Sequence, residues 1–408
     1  MYRRFILIFW GILFGGSTLL CLVNMLIPSK YRSILISIYV FLLWLIASFR
    51  YMIGTDYFMY MDYYIRDVFI SVWDHGEGMV EIANLLITIV LKDLHLGSQM
   101  YFLIYETVIL FFFYKGAKFY STNSYMLMLS MLLYVVICMP GTYFWSMNGI
   151  RQAAAISICF WGSHFWYTRK YIKMIFSFLF AFTFHMTTPI MVIIFLVTVC
   201  ILQHFKLSFN RICLAILLLY FCTLSGLSAR FLFFALENLP EYGDKYGAYL
   251  TMVGQNVTPT FGLLTIICVL FLLISRDYFR EIRRKEGCFL RKEIYYLSTT
   301  FLFIRILTSF KMNVQNAEVI SMLESMIHRV DAYFVPFFII AIASWLTWLY
   351  SMHDKLKLKP LIVTMLIISI FSMHSIRQII ITDDSITNSM NPSAGNIHYE
   401  MRFDLFNE

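Results

Sequence analysis

The segment Ser146-Met147-Asn148-Gly149-Ile150-Arg151-Gln152-Ala153-Ala154-Ala155 places an arginine where an α-helix should begin. Asn148 or Ser146 can cap that helix, which puts Arg151 in its first turn. The helix dipole disfavours a cation there, and the free amide groups already attract anions. A guanidinium held at such a point makes a stronger anion site, suited to two-pronged contact with a phosphate. Gln152 follows it, and the alanines beyond allow close helix packing. The plainer alternative is an arginine that snorkels to a membrane interface.

Arg169 and Lys170 mark the next turn, and His185 lies about 15 residues after it, a climb of about 23 Å along a returning helix. The hairpin therefore brings His185 to the membrane face that holds Arg151. Pro189 ends or kinks the helix just beyond. A histidine flanked by Phe184 and Met186 is not expected to face lipid, although a structural histidine bonded to a helix end would also fit.

A third element is Arg50-Tyr51-Met52-Ile53-Gly54-Thr55-Asp56-Tyr57, followed by Tyr60, Asp62, Tyr63 and Tyr64. Gly54 permits a tight turn. Asp56 opens a tyrosine-rich stretch that reads either as an aromatic belt with a capping carboxylate or as a carboxylate beside sugar-stacking surfaces. In the second case Asp56 is a candidate base for a hydroxyl. Arg329 starts an apolar run with Asp331 as a potential partner, and Arg305 lies inside another run, where an arginine marks a functional site by default. Glu106 is a further intramembrane charge, and a structural pairing with Arg305 is one account of it.

These residues need elements to hold them. Of the 408 residues, 60% are hydrophobic and only 14% charged, against about a quarter charged in soluble domains. Continuous apolar runs fall at 5–27, 33–49, 98–114, 124–140, 150–167, 171–186, 187–203, 211–227, 260–275, 293–310, 330–350 and 360–377. Runs of that kind form helices rather than barrel strands. The expected fold is an all-α polytopic membrane bundle of about 12 transmembrane helices, within a range of about 11–14. The apolar stretch 82–91 is too short for an ordinary span and reads as an interfacial or re-entrant helix, ended by Lys92, Asp93 and His95.

The most basic loop, 276–292, should be cytoplasmic. Parity then places Lys115, Lys118, Arg169, Lys170 and Lys173 on the same side. Residues 50–97 and 228–258 become outer loops, provided that 82–91 does not span. Residues 1–380 are expected to form a single membrane domain, and 381–408 a polar tail. Arg50, Asp56, Arg151, His185 and Arg329 then gather at the outer face, with Arg305 just below. The net charge of +8 reflects orientation and not nucleic-acid binding. The eight cysteines lack metal or redox spacing and read as small apolar residues. No nucleotide-binding loop, metal cluster or transporter-type repeat is evident.

The same residues carry a resemblance. Arg50 with Gly54-Thr55-Asp56-Tyr57 and Tyr60, then Glu77-Gly78, Asn148-Gly149-Ile150-Arg151-Gln152 with Ala155, Phe184-His185, Tyr246 with Tyr249, and Arg329 with Tyr333-Phe334 stand in the order seen in the EpsG family. That family groups with the Wzy-type polymerases of bacterial exopolysaccharide, capsule and O-antigen. The family pattern reads Glu-Pro-Gly where this chain has Glu77-Gly78.

The resemblance implies a glycosyltransferase of the bacterial cytoplasmic membrane. It would move an undecaprenyl-diphosphate-linked glycan onto a sugar hydroxyl of another lipid-linked repeat unit. Arg151, Arg329, Arg305 and Arg50 would bind diphosphate, Tyr57, Tyr60 and Gln152 would contact substrate, and Asp56 or His185 would take the acceptor proton. Neither cofactor nor metal is expected. The expected partners are the lipid-linked donor and acceptor, membrane lipid, and the chain-length regulator and flippase of the same pathway. Rival readings are a transferase that adds one sugar, a lipid-linked oligosaccharide flippase, and a membrane O-acetyltransferase. The flippase should show charges at several depths, and the acetyltransferase a polar path from the cytoplasmic side.

Overall fold

The computed structural model describes residues 2–51, 60, 61, 64, 70, 81–205, 209–225, 257–259, 263–284, 289–307, 310–312, 329–352, 358–388, 400 and 401. They are overwhelmingly helical. In chain order the elements are α1 (Tyr2–Leu26), α2 (Ser29–Ser48), β1 (Arg50–Tyr51), α3 (Ile82–Asp93), α4 (Ser98–Tyr120), α5 (Ser124–Val136), α6 (Tyr143–Ser146), α7 (Ile150–Gly162), α8 (His164–Tyr167), α9 (Tyr171–Phe184), α10 (Thr188–Phe205) and α11 (Phe209–Leu224). There follow β2 (Val257–Pro259), α12 (Leu263–Ile274), α13 (Arg276–Arg284), α14 (Phe289–Leu307), β3 (Phe310–Met312), a 3-10 turn (Ala332–Phe334), α15 (Val335–Met352), α16 (Leu358–Asn388) and β4 (Glu400–Met401). Every apolar run read from the sequence overlaps one of these α-helices, and the run 150–167 overlaps two, α7 and α8. Among the described residues, three helical stretches have the length and hydropathy to cross a membrane: Ser29–Ser48, Ser98–Tyr120 and Arg329–Ser351, the last including the 3-10 turn and most of α15.

The chain divides into two compact units, residues 1–192 with 342–408 and residues 193–341. In the first unit α4 packs on α7 and α2, α7 on α9, and α5 on α1, α2 and α16. Residues Tyr125 to Val136 of α5 are all buried. A helix apolar all round belongs in the interior of such a bundle. In the second unit α14 packs against α11, α12, α13 and the 3-10 turn.

Outer faces are oily. On α9 Ile172, Phe176 and Leu179 are exposed, while Met174, Ser177, Phe178 and Ala181 are buried. On α3 the pattern is sharper: Ile82, Leu86 and Val90 are exposed, and Asn84 and Thr88 are fully buried. Polar residues turned inward and apolar ones outward suit lipid as the surrounding medium. At about 1.5 Å per residue, the 12 residues of α3 span about 18 Å, short of a hydrocarbon core of about 30 Å.

Local chemistry sets the helix ends. After α3, His95 adopts a left-handed φ of 53°. The amides of His95 and Leu96 bond back to the carbonyls of Lys92 and Leu91, each at 2.9 Å, which is a Schellman closure. Arg169 does the same after α8, with φ 55° and amide bonds from Arg169 to Trp166 and Lys170 to Phe165. The turn expected at Arg169-Lys170 is therefore a built stop. From it α9 returns against α7, and a Cβ on Gly162 would lie 2.7 Å from the Cβ of Ser177.

Two short ribbons complete the fold. Arg50 and Tyr51 pair antiparallel with Met401 and Glu400, so the C-terminal tail returns to the end of α2. β2 pairs with β3 in the second unit. The helix α16 runs to Asn388, past the boundary at 380 where the polar tail was expected to start.

Candidate functional site

Helix α7 starts at Ile150 with Gly149 as its N-cap, and no side chain caps it. The expectation that Asn148 or Ser146 would cap it is corrected. The chain is already turned into α6 at that point, and the Ser146 hydroxyl donates to the Tyr143 carbonyl at 2.7 Å. Arg151 nevertheless sits in the first turn, as expected. Its Nη1 donates to Oε2 of Glu81, its Nε donates to the Tyr60 hydroxyl at 3.4 Å, and its guanidinium lies 5.6 Å from the centre of the Tyr60 ring. Gln152, next on the helix, is buried.

Glu81 and its neighbours were not singled out from the sequence. Oε2 of Glu81 also accepts from Nδ2 of Asn84 at 2.6 Å. Oδ1 of Asn84 in turn accepts from the hydroxyls of Tyr101, at 3.0 Å, and Tyr105. With its oxygen taken by two hydroxyls, the Asn84 amide has its NH2 fixed toward Glu81. The available signal was Asn84 and Thr88 at helical spacing after Glu81, in a stretch otherwise apolar, together with Tyr101 and Tyr105 four residues apart on α4.

The adjacent stripe of α4 carries a second cluster. Glu106 Oε1 meets Arg50 Nη1 at 2.6 Å, and neither side chain has any exposed surface. The sequence pairing of Glu106 with Arg305 is corrected. Hydropathy gives a residue's depth in a bundle but not its rotation, and α4 turns Glu106 toward the end of α2. There Arg50 Nη1 also donates to the Ala47 carbonyl at 2.7 Å, and Nη2 to the Met147 carbonyl at 3.4 Å. Gln99 Nε2 donates to the Ser48 carbonyl, and the Tyr143 hydroxyl to the Leu43 carbonyl at 2.8 Å. Two of the last carbonyls of α2, those of Ala47 and Ser48, are thus met by the Arg50 cation and the Gln99 amide, as a helix C-terminus favours. Arg50, expected to bind substrate, is enclosed here as an internal ion pair.

His185 is the C-cap of α9 in extended conformation, with φ −155°. Its Nδ1 accepts from the Thr187 amide at 3.2 Å and lies 2.8 Å from the Thr187 hydroxyl. An amide only donates, so Nδ1 is the acceptor nitrogen, and the neutral ring carries its hydrogen on Nε2. Pro189 falls in the first turn of α10, where its missing N–H costs nothing. Phe184 places its ring 5.7 Å from that of Tyr105. The hairpin therefore brings the two helix ends to one side of the first unit, as the sequence geometry requires.

Arg305 and Arg329 belong to the second unit. Arg305 Nη1 bonds Oδ2 of Asp331 at 2.8 Å, so the carboxylate expected beside Arg329 is engaged by Arg305. Arg329 itself is exposed. Asp56 and Tyr57 lie outside the described residues.

Comparison with known families matches residues 33–384 to the EpsG family. The chain belongs to the EpsG family. It is accordingly a membrane protein of the polysaccharide-polymerase type. No curated protein and no solved structure matches it. For an EpsG chain the match is broad, running from within α2 to within α16. It covers Arg151, Glu81, Asn84, His185 and both partners of the Arg50–Glu106 pair.

Proposed function

We infer that this EpsG chain polymerises lipid-linked repeat units at the outer face of a bacterial cytoplasmic membrane, which it crosses about 12 times. It would transfer the glycan of one undecaprenyl-diphosphate-linked unit onto a sugar hydroxyl of another. The observation that carries this reading is Arg151: a guanidinium in the first turn of a helix, 26% exposed and paired with a nearly buried carboxylate, beside a tyrosine ring. A cation in that position pairs with Glu81 and keeps about a quarter of its side-chain surface exposed.

Leaving-group chemistry gives the residues their roles. Breaking the bond between the anomeric carbon and the diphosphate sends negative charge onto the phosphate oxygens. Arg151 and the amides at the start of α7 stabilise that charge. Nε2–H of His185 is suited to donate to the same anion. With Nδ1 already accepting an amide, His185 is less suited to take the acceptor proton. That task falls to a carboxylate; Asp56 is the one that the sequence puts forward, and it lies outside the described residues. Tyr60 offers a face on which a sugar or the guanidinium can stack.

The test is synthesis by the purified chain in lipid nanodiscs, supplied with its lipid-linked repeat unit. A ladder of lengthening glycans is expected. A single addition would make it the simpler transferase, and transport without any new glycosidic bond would make it a flippase.

A further inference from the structure

We propose that Glu81 is the carboxylate that takes the proton of the acceptor hydroxyl, and that the donor's diphosphate uncovers it by drawing away Arg151. The proposal rests on the polymerase reading above and names the residue that completes its site.

The geometry is asymmetric. The Glu81 side chain is 5% exposed and that of Arg151 26%, so the guanidinium lies on the open side of the pair. Glu81 is held from the inside by Asn84 Nδ2 at 2.6 Å, and Asn84 is locked by the hydroxyls of Tyr101 and Tyr105. The support of the carboxylate is therefore independent of Arg151, and Glu81 stays in place if the arginine moves. A diphosphate carries more charge than one carboxylate and accepts two parallel bonds from a guanidinium. It competes for Arg151 on favourable terms. Arg151 is also bound to Tyr60, a contact it can exchange without leaving the site.

A carboxylate in a shielded site gains affinity for a proton when a paired guanidinium is drawn away from it. The step then balances. The acceptor O–H passes its proton to Glu81, and the acceptor oxygen forms the new bond to the anomeric carbon. The bond from that carbon to the diphosphate oxygen breaks, and its electron pair leaves with undecaprenyl diphosphate, held by Arg151. On product release Arg151 returns to Glu81, which gives its proton to water as the pair re-forms. Before donor binds, the same pairing keeps the base capped, so an acceptor alone is not activated.

Three measurements on the full chain in nanodiscs decide it. In Glu81→Gln, which preserves an acceptor for Asn84, turnover should fall by about 100-fold or more, while undecaprenyl diphosphate binds as tightly as before or more tightly. In Glu81→Ala, added formate should restore part of the turnover. In the unsubstituted chain, carbodiimide labelling of Glu81, read by mass spectrometry, should rise when undecaprenyl diphosphate saturates the protein. If Glu81 only holds Arg151, binding and turnover fall together and formate does nothing, which overturns the proposal. Labelling that does not change with bound undecaprenyl diphosphate overturns the uncovering step, whether or not the variants fold. Failure of the polymerase reading looks different: the unsubstituted chain itself would make no glycan.

Discussion

Arg50 and Glu106 meet at 2.6 Å with both side chains wholly enclosed. The pair joins the end of α2 to the middle of α4. Through the Met147 carbonyl it also reaches the segment that leads into Arg151. Nε of Arg50 and Oε2 of Glu106 have no hydrogen-bond partner among the described residues, so each charge depends on the other. Removing one partner should lower stability by about 3–5 kcal/mol, and replacing both with apolar residues of similar volume should recover much of that loss. Thermal unfolding of Glu106→Leu, Arg50→Met and the double variant in detergent checks this. A double variant no more stable than either single one would show that the pair is not the source of the effect.

Arg151 should tolerate no neutral replacement. Arg151→Ala should cut turnover by about 100-fold or more, the scale seen when a charge-stabilising donor is lost, with membrane yield unchanged. Arg151→Lys should recover only part, because an ammonium cannot make two parallel bonds to a phosphate. Equal activity of the lysine variant and the parent would remove the bidentate role.

The α7–α9 hairpin sets the alignment of Arg151 with His185, and at Gly162 the two helices leave no room for a side chain. Since a Cβ there would lie 2.7 Å from a Cβ on the facing backbone, Gly162→Val should cost about 1–3 kcal/mol by overpacking. Adding Ser177→Gly to that variant should return part of the stability and part of the polymerising activity. Additive losses in the double variant would show that the two sites do not press on one another.

Topology has its own test. In a cysteine-free variant, a cysteine at position 56 should react with an impermeant reagent from outside intact cells. Labelling only after permeabilisation would move the loop to the cytoplasm. A spin label at Leu86, which is 55% exposed on α3, should be more accessible to oxygen than to a water-soluble relaxant. The reverse would take that face out of the lipid.

The helical character of the chain, its family and the position of Arg151 in the first turn of a helix were legible in the sequence alone. Runs of about 20 apolar residues have no lower-energy choice in a bilayer than a helix. Helix rise and a marked turn were enough to bring His185 to the end of the hairpin occupied by Arg151. The tertiary structure decided who pairs with whom. Depth follows from position in a run, but rotation about the helix axis follows from packing, so Glu106 met Arg50 and not Arg305, and Asp331 took Arg305. It also revealed the carboxylate behind Arg151. Glu81 stands at the edge of an apolar stretch and is silent in one dimension. Only the inward turn of Asn84, Tyr101 and Tyr105 shows it as the inner half of an ion pair whose outer half faces the open side.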